Sequence, residues 1–304
     1  MRDQNRSAIE AVPSAARTAA LTIVAIFAFA ANSLLCRLAL GEGLIDAAGF
    51  TTVRVLSGSV VLLLITMPRW RSHGRPVFNW RFSAALFIYM AFFSFAYLSL
   101  SAGTGALLLF SAVQLTMFTA ALLGGERLSL SSWAGLALTV FGLIYLLLPG
   151  VTAPDPMGAI LMLVAGIAWG MYSLLGRNVD DPLQATANSF VYAIPLALLV
   201  SVVFIDDYYS SRNGVILAVA SGAIASGLGY VIWYAALRGL AATHAATVQL
   251  SVPVVAALGG IVFLSEQITL RLVFASVAIL GGIMIVLTQR ASGAREPRVP
   301  HNKN

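Results

Sequence analysis

The sequence predicts an all-α membrane protein in which ten transmembrane helices form two inverted five-helix repeats around a central cavity. Three observations predict this fold class. First, the 304-residue chain is 59% hydrophobic and only 10% charged, whereas globular domains carry about 25% charged residues. Second, its apolar residues form ten runs of roughly the 20 residues that cross a bilayer's hydrocarbon core. Third, one sequence register recurs in both halves of the chain.

The predicted spans are joined by mostly short connections that contain Gly, Pro, Asp or Ser, as turns do. Strand-type alternation is absent from the apolar runs, and lipid leaves no backbone polar group unpaired. Helices are therefore the only spanning structure that fits these runs. The ten spans are residues 18–39, 47–67, 82–100, 104–123, 131–149, 156–176, 187–205, 214–236, 242–264 and 270–289.

The ends of the chain are expected to be tails, at residues 1–17 and 290–304. The first segment is polar, and the apolar run after it is too long for the apolar core of a signal peptide, so we expect no cleaved leader. The lone Cys36 excludes an intrachain disulfide, and its position in an apolar helix suits a small packing residue.

The basic residues indicate how the chain is oriented. If both termini are cytoplasmic, 14 of the 18 basic residues lie on the cytoplasmic side, and only Arg37, Arg54, Arg212 and Arg271 do not. Retention of basic residues on that side is the orientation rule for inserted helices. The net charge of +6 is therefore a topology signal, and we expect no nucleic-acid partner.

The internal repeat is visible in two pentapeptides, SLLCR at residues 33–37 and SLLGR at residues 173–177, which are 140 positions apart. The same offset holds in both halves, and it defines repeats at residues 18–149 and 156–289. Further identical pairs are Phe50 and Phe190, Ala106 and Ala246, Ser111 and Ser251, Glu126 and Glu266, Leu130 and Leu270, and Gly142 and Gly282. Because each unit has five spans, the second copy enters the membrane from the opposite face. Inverted repeats are typical of alternating-access transporters with a binding site near the midplane, although some channels also carry them.

A short motif follows the fourth span of each half, Glu126-Arg127-Leu128-Ser129 and Glu266-Gln267-Ile268-Thr269, and Pro253-Val254 lies in the ninth span. With these motifs, residues 18 to 290 resemble the drug/metabolite transporter superfamily, and within it the EamA-type exporters, especially bacterial aromatic amino acid exporters. The first copy departs from this pattern with Val113 and Gln114 at the Pro-Val position. The resemblance implies export of small metabolites from the cytoplasm across a bacterial inner membrane. It implies no enzyme activity, catalytic residue, cofactor or metal.

Polar side chains inside spans are candidate substrate contacts, because such groups usually face a bundle interior or a watery cavity. In the ninth span, His244, Thr247, Ser251 and Val254 fall within about 80° at 100° per residue. The equivalent positions of the first copy are Thr104, Leu107, Ser111 and Gln114. His244 is either a packing histidine or a cavity group that changes protonation. Gln249 lies on another face and is interpreted as an interhelical hydrogen-bond former.

Aromatic residues form a second candidate set, because a Tyr or Trp in a wet cavity can stack on a flat or apolar substrate. Aromatic stripes are more often packing or lipid-facing features, and that alternative stays open for each of them. Tyr230, Trp233, Tyr234 and Leu237 share one helix face, and their repeat equivalents are Met90, Phe93, Ser94 and Tyr97. Trp169 and Tyr172 correspond to Phe29 and Asn32. The candidate substrate-binding residues are Asn32, Tyr97, Ser111, Gln114, Trp169, Tyr172, Trp233, Tyr234, His244 and Ser251.

Charged residues are scarce inside the spans, and no Asp or Glu lies deep within one. Glu126 and Glu266 are expected to complement the N-terminus of the helix that follows each of them. Arg54 lies about 10 Å into the second span at 1.5 Å per residue. It can pair with Asp46, extend toward the surface, or bind a phosphate group.

The leading functional hypothesis is an exporter of neutral, aromatic or apolar amino acids and related metabolites. The expected partners are a neutral or zwitterionic small-molecule substrate and the lipid bilayer around the helices. The sequence leaves the oligomeric state open. An exchanger of phosphorylated or nucleotide-linked metabolites that uses Arg54 is an alternative. A passive channel is another, and an intramembrane serine protease built on Ser226 and His244 is a remote one.

Overall fold

The computed structural model describes residues 14–73, 79–126, 129–176 and 179–293. Regular structure in these ranges is helical, apart from one isolated bridge between Ile45 and Ser210. The α-helices are α1 (Ala15–Gly41), α2 (Ala47–His73), α3 (Trp80–Ala96), α4 (Ala102–Leu123), α5 (Leu130–Leu147), α6 (Pro156–Leu175), α7 (Pro182–Val203), α8 (Arg212–Val219), α9 (Gly229–Leu237), α10 (Ala242–Gln249), α11 (Ser251–Leu264) and α12 (Leu270–Gly293). A π-helical segment, Ala220–Leu228, joins α8 to α9.

The predicted fold class is confirmed, since every predicted span coincides with a helix or with consecutive helices. Nine helical stretches in the described ranges are long and apolar enough to cross a membrane, and α3 is a shorter apolar helix. The eighth span comprises α8, the π segment and α9, and the ninth comprises α10 and α11. Most of the two predicted tails, residues 1–13 and 294–304, lies outside the described residues.

Polar caps set where several helices begin, and for α7 the cap explains why the helix starts before its apolar run. Asp181 accepts a hydrogen bond from the Gln184 backbone at 3.0 Å, so α7 begins at Pro182. Asp155 caps α6 in the same way through Gly158, at 2.7 Å. A side-chain oxygen at the N-cap satisfies a backbone N–H that has no partner inside the helix, and proline is favoured at the first helical position.

The helices pack in a pattern that is preserved when the two halves are exchanged. Helix α3 packs against α6, as α9 packs against α1, and α4 packs against α6, as α11 packs against α1. Likewise α3 packs against α7, as the π segment packs against α2. The contacts therefore have the two-fold character that the sequence repeat predicts.

Equivalent helices of the two halves also contact each other, and they run antiparallel. On α2 and α7, Thr52 Oγ1 bonds Ser201 Oγ at 2.8 Å, whereas Gly58, farther along α2, faces Phe190, nearer the start of α7. On α5 and α12, Thr139 Oγ1 donates to the Ile279 carbonyl, 140 positions away, at 3.5 Å. Antiparallel equivalents are what an inverted repeat requires.

Regular helical hydrogen bonding in the ninth span is interrupted at one residue, Leu250 between α10 and α11, whose backbone stays in the right-handed helical region. Pro253 explains the break, because it has no N–H to donate to the carbonyl of Gln249 four residues earlier. The eighth span is irregular too, and its π segment contains Gly222, at which an added Cβ would collide with the Arg54 carbonyl of α2. Both irregular segments lie beside the site described next.

Candidate functional site

A small central cavity lies where the two halves meet. Two pairs of its lining residues are repeat equivalents, Phe29 with Trp169 and Leu109 with Gln249, which places it on the pseudo-two-fold axis. Its volume is about 30 Å³, enough for a water molecule or two. An amino-acid-sized molecule therefore needs the halves to separate before it fits. The lining residues are Phe29, Asn32, Ser33, Tyr89, Phe93, Leu109, Phe110, Trp169, Tyr230 and Gln249.

Amide groups from the two halves supply polarity to this mostly aromatic cavity. Asn32 is held in place on α1, where its Oδ1 accepts a hydrogen bond from Ser221 Oγ of the π segment at 2.7 Å. Gln249 is the last residue of α10 before the break, and its side chain lines the cavity. The expected role of Gln249 as an interhelical hydrogen-bond former stays a prediction, and the structure adds that this residue lines the cavity.

An aromatic column of Phe82, Tyr172, Trp169 and Tyr230 runs away from the cavity. Its rings are stacked, with centroid separations of 4.1 Å from Phe82 to Tyr172, 5.2 Å from Tyr172 to Trp169 and 5.6 Å from Trp169 to Tyr230. One hydroxyl fixes the neighbouring phenols, because Thr186 Oγ1 bonds Tyr172 Oη at 2.7 Å and Tyr234 Oη at 2.9 Å. The column fills the route between the cavity and one end of the bundle.

At that end, a polar vestibule of about 300 Å³ opens where α3 and α7 begin. Phe82 belongs to both the vestibule and the aromatic column. The volume of the vestibule is at the lower end of the range of small-molecule pockets. The vestibule is lined by Asn79, Phe82, Ser83, Val179, Asp180, Asp181, Gln184, Ala185, Asn188 and Ser189.

At the opposite end, a charged network joins α1, α4 and the α11–α12 connection. Glu266 Oε1 lies 3.4 Å from Arg37 Nε, with side chains 14% and 27% exposed. Both Glu266 oxygens accept from the Ala102 N–H at the start of α4, at 3.0 Å. Arg37 Nη1 also donates to the carbonyls of Tyr97 and Leu98. We call this set the Arg37–Glu266 network.

The expected role of Glu266 at the following helix is wrong. Its carboxylate complements the N-terminus of α4, far away in the sequence, where a negative charge is stabilised by the helix dipole. Helix α12 is capped instead by Thr269, whose Oγ1 accepts from the Leu272 N–H at 3.1 Å. Glu126 is exposed, and the residues that follow it, 127–128, lie outside the described ranges.

Arg54 is fully buried, with 0% exposure. Its Nε donates to Ser226 Oγ at 3.4 Å, and its Nη2 donates to Tyr89 Oη at 3.2 Å. It neither pairs with Asp46 nor extends to the surface, so both of those expectations are wrong. Asp46 instead caps its own helix, where Oδ1 accepts from the Gly49 N–H at 2.7 Å. An effective penalty of several kcal/mol is typical for burying one ion in a protein.

Several of the sequence-selected residues lie at or beside the cavity. Asn32 and Trp169 line it, Tyr172 belongs to the aromatic column, and Tyr234 adjoins the column through Thr186. Trp233 is buried with its ring 5.8 Å from that of Phe29, a lining residue. Tyr97 is buried edge-on to Phe93, with ring centroids 4.8 Å apart.

The polar stripes of the fourth and ninth spans are not brought to this cavity. Ser111 and Gln114 are buried in α4, and Ser111 Oγ donates to the Leu107 carbonyl at 2.6 Å. His244 is exposed at the start of α10. Ser251 Oγ donates to the Val248 carbonyl at 2.6 Å.

The Ser–His pair of the protease alternative is not assembled either. In the described ranges, Ser226 Oγ is bonded by Arg54 and no hydrogen bond joins it to His244.

Sequence reasoning missed Tyr89, Ser33, Leu109 and Phe110 as cavity-lining residues. The signal that finds part of the lining is the repeat register, because it links Phe29 to Trp169 and Leu109 to Gln249. Tyr89 corresponds to Gly229, so no aromatic partner marks it in the sequence.

Comparisons with known proteins agree with this architecture. Residues 156–288 match the model of the EamA-like transporter family. An uncharacterized protein of Pseudomonas aeruginosa is 49% identical over 91% of this chain and 97% of its own length. An uncharacterized transporter of Archaeoglobus fulgidus is 27% identical over 67% of this chain and 74% of its own length. An uncharacterized transporter of Bacillus subtilis is 24% identical over 53% of this chain and 58% of its own length. A protein crystal structure has a TM-score of 0.64 at 20% identity, covering 90% of this chain and 99% of that chain, which shows a shared fold.

Proposed function

The chain belongs to the EamA-like transporter family, and we propose that it exports neutral, aromatic or apolar amino acids and related small metabolites across the bacterial inner membrane. The proposed units are two inverted repeats, residues 18–149 and 156–289. They rock about the central cavity, which opens alternately to the cytoplasm and to the outside. Both termini are proposed to be cytoplasmic, because that orientation places 14 of the 18 basic residues on the inner side.

The observation that carries this proposal is the aromatic cavity on the pseudo-two-fold axis. A carrier with inverted repeats binds its substrate where the repeats meet, and the rings of Trp169 and Tyr230 line that place. Aromatic faces stack favourably on flat or apolar side chains. Asn32 and Gln249 add amide donors and acceptors for the polar end of an amino acid.

The two ends of the bundle suggest a direction of loading. With cytoplasmic termini, the polar vestibule faces the cytoplasm and the Arg37–Glu266 network lies at the outer end. A substrate from the cytoplasm enters the vestibule, and movement of the aromatic column admits it to the cavity. Breaking the Arg37–Glu266 network then releases it outside. The present conformation is closed at the cavity, so it corresponds to an occluded state in this cycle.

The irregular eighth and ninth spans supply places where the halves can move. The helical hydrogen bonding of the ninth span is interrupted at Leu250 beside the cavity, and interrupted spans are common at transporter binding sites. The π segment contacts α2 closely through Gly222, and π-helical turns often occur at functional sites. Movement at Leu250 shifts Gln249, which lines the cavity. Movement of the π segment shifts Ser221 and Ser226, which bond Asn32 and Arg54.

The proposal is tested by transport into proteoliposomes that contain the purified protein. Radiolabelled phenylalanine and leucine are expected to enter faster than into empty vesicles, and unlabelled aromatic amino acids should compete. Trp169→Ala should reduce phenylalanine transport by about 10-fold or more, since it removes a stacking surface that lines the cavity. Trp133→Ala is the matched control, because Trp133 is half exposed on α5. Absence of flux for every neutral amino acid would exclude the proposed function.

A further inference from the structure

We propose that Arg54 binds the carboxylate of the transported molecule. This inference rests on the proposed function and deepens it, because it names the substrate class as small monocarboxylates with an apolar or aromatic side chain. The starting observation is an incompletely bonded guanidinium. Arg54 Nη1 is buried and has no hydrogen-bond partner in the described part of the chain.

The charge of Arg54 is not neutralised by the protein. In the described ranges, the ion pair found joins Arg37 to Glu266, and no carboxylate lies within 4.0 Å of the Arg54 guanidinium. The rings of Tyr89 and Phe93, 5.4 and 5.0 Å away, give partial cation–π stabilisation. Arginine cannot shed its proton in a protein, so a full positive charge remains inside the membrane-spanning bundle. Intramembrane charges of this kind generally serve function.

The position of Arg54 relates it directly to the cavity. Tyr89 and Phe93 contact the guanidinium on one side and line the cavity on the other. One layer of side chains therefore separates the charge from the place where a substrate would lie. When the cavity opens, rotation of Tyr89 releases Nη2 beside the unpartnered Nη1, while Ser226 retains Nε. This leaves the guanidinium edge available for two parallel hydrogen bonds.

A carboxylate fits this edge better than a phosphate ester does. The planar guanidinium forms paired N–H···O bonds with both oxygens of a carboxylate. A single arginine neutralises a single negative charge, whereas a phosphate dianion would leave a second charge uncompensated in a low-dielectric site. With its carboxylate on Arg54, an amino acid can place its side chain against the rings of the cavity. One cationic group therefore lies directly behind the rings that line the cavity.

The test measures binding to the purified full-length protein by titration calorimetry. The ligands are L-phenylalanine, 3-phenylpropanoate, which has the carboxylate alone, 2-phenylethylamine, which has the amine alone, and phenyl phosphate. Arg54→Gln is expected to lower the affinity for both carboxylate ligands, L-phenylalanine and 3-phenylpropanoate, by about 10- to 100-fold. Arg212→Gln is the matched control, since Arg212 is exposed at the start of α8, and it should bind both carboxylates as the wild type does. Arg54→Lys, which keeps the charge but not the planar fork, should bind them with intermediate affinity.

A thermal unfolding measurement separates binding from a purely structural role. Without ligand, Arg54→Gln should unfold at the same or a higher temperature, because it removes an unneutralised buried charge. A large drop in the unfolding midpoint for both Arg54→Gln and Arg54→Lys would show that Arg54 is structural, and would overturn the proposal. So would equal carboxylate affinity in the wild type and Arg54→Gln, or no carboxylate binding by the wild type. Tighter, Arg54-dependent binding of phenyl phosphate would assign the site to phosphate esters and overturn the carboxylate assignment.

Failure of this inference is distinguishable from failure of the proposed function. If vesicles show amino acid flux that Arg54→Gln leaves unchanged, the exporter stands and the carboxylate role of Arg54 fails. If the purified protein binds 3-phenylpropanoate through Arg54 but vesicles show no flux of any neutral amino acid, the anion site stands and the exporter of amino acids fails.

Discussion

Replacing Glu266 by Gln should open the outer end of the protein more often. The carboxylate joins three parts of the chain, since it pairs with Arg37 on α1 and accepts from the Ala102 N–H of α4, while belonging to the α11–α12 connection. In the proposed cycle these contacts exist only while the outer end is closed. Gln keeps the size and one neutral acceptor but removes the charge, so the substitution weakens the closed form without deleting the side chain.

The size of the effect follows from the contacts. A partly exposed ion pair contributes about 0.2–1 kcal/mol, and a carboxylate at a helix N-terminus contributes about 0.3–1 kcal/mol. A charge-assisted hydrogen bond is roughly twice as strong as a neutral one, so its replacement costs about 1 kcal/mol more. Together these amount to about 2 kcal/mol, which raises the ratio of open to closed forms about 30-fold.

The native cysteine reports this opening, because Cys36 is the only cysteine and is fully buried next to Arg37 in the sequence. N-ethylmaleimide should label the purified Glu266→Gln protein about 30-fold faster than the wild type. Glu42→Gln is the matched control, since Glu42 is an exposed glutamate that follows α1 at the same end, and its rate should not change. The reasoning would be refuted if Cys36 in Glu266→Gln were labelled at the wild-type rate, or if labelling were equally accelerated in Glu266→Gln and Glu42→Gln.

Two further predictions concern the packing that supports the site. Gly222→Ala should lower the thermal unfolding midpoint by the equivalent of about 1–3 kcal/mol, because the new Cβ collides with the backbone of α2. Gly281→Ala, where a Cβ meets nothing within 4 Å, should leave the midpoint unchanged or slightly higher, and a loss as large as that of Gly222→Ala would contradict the packing argument. Thr186→Val should cost about 1–3 kcal/mol in the same measurement, because it removes the hydrogen-bond partner that the hydroxyls of the buried Tyr172 and the part-buried Tyr234 share. An unchanged midpoint in Thr186→Val would show that this hydroxyl does not fix the aromatic column.

The fold could be predicted from sequence because its determinants are local or repeated. Apolar runs of bilayer length mark the spans, and the 140-residue register indicates which helices are equivalent. That register also associates Phe29 with Trp169, both of which line the cavity. The wheel projection of the ninth span fails for a physical reason. It assumes a regular, straight helix from His244 to Ser251, whereas the helical hydrogen bonding is interrupted at Leu250.

The charged parts of the site depend on contacts between distant segments, which one sequence does not reveal. Glu266 was expected near its own following helix, yet it accepts from Ala102, 164 residues away. Arg54 is enclosed by α3 and the π segment, so neither its burial nor its unpartnered Nη1 follows from its depth along α2. A residue's neighbours in a helical bundle depend on how whole helices pack, and propensity and hydropathy do not encode that packing.

The antiparallel relation of the two halves is tested most directly by site-specific cysteine labelling in intact cells. In a Cys36→Ser background, one variant carries Val151→Cys in the connection after α5, and the other carries Asn302→Cys in the tail that follows the equivalent end of the second half. A membrane-impermeant maleimide should label Val151→Cys from outside and should reach Asn302→Cys only after the membrane is permeabilised. Labelling of both positions from one side would contradict the inverted repeat and the alternating-access cycle built on it.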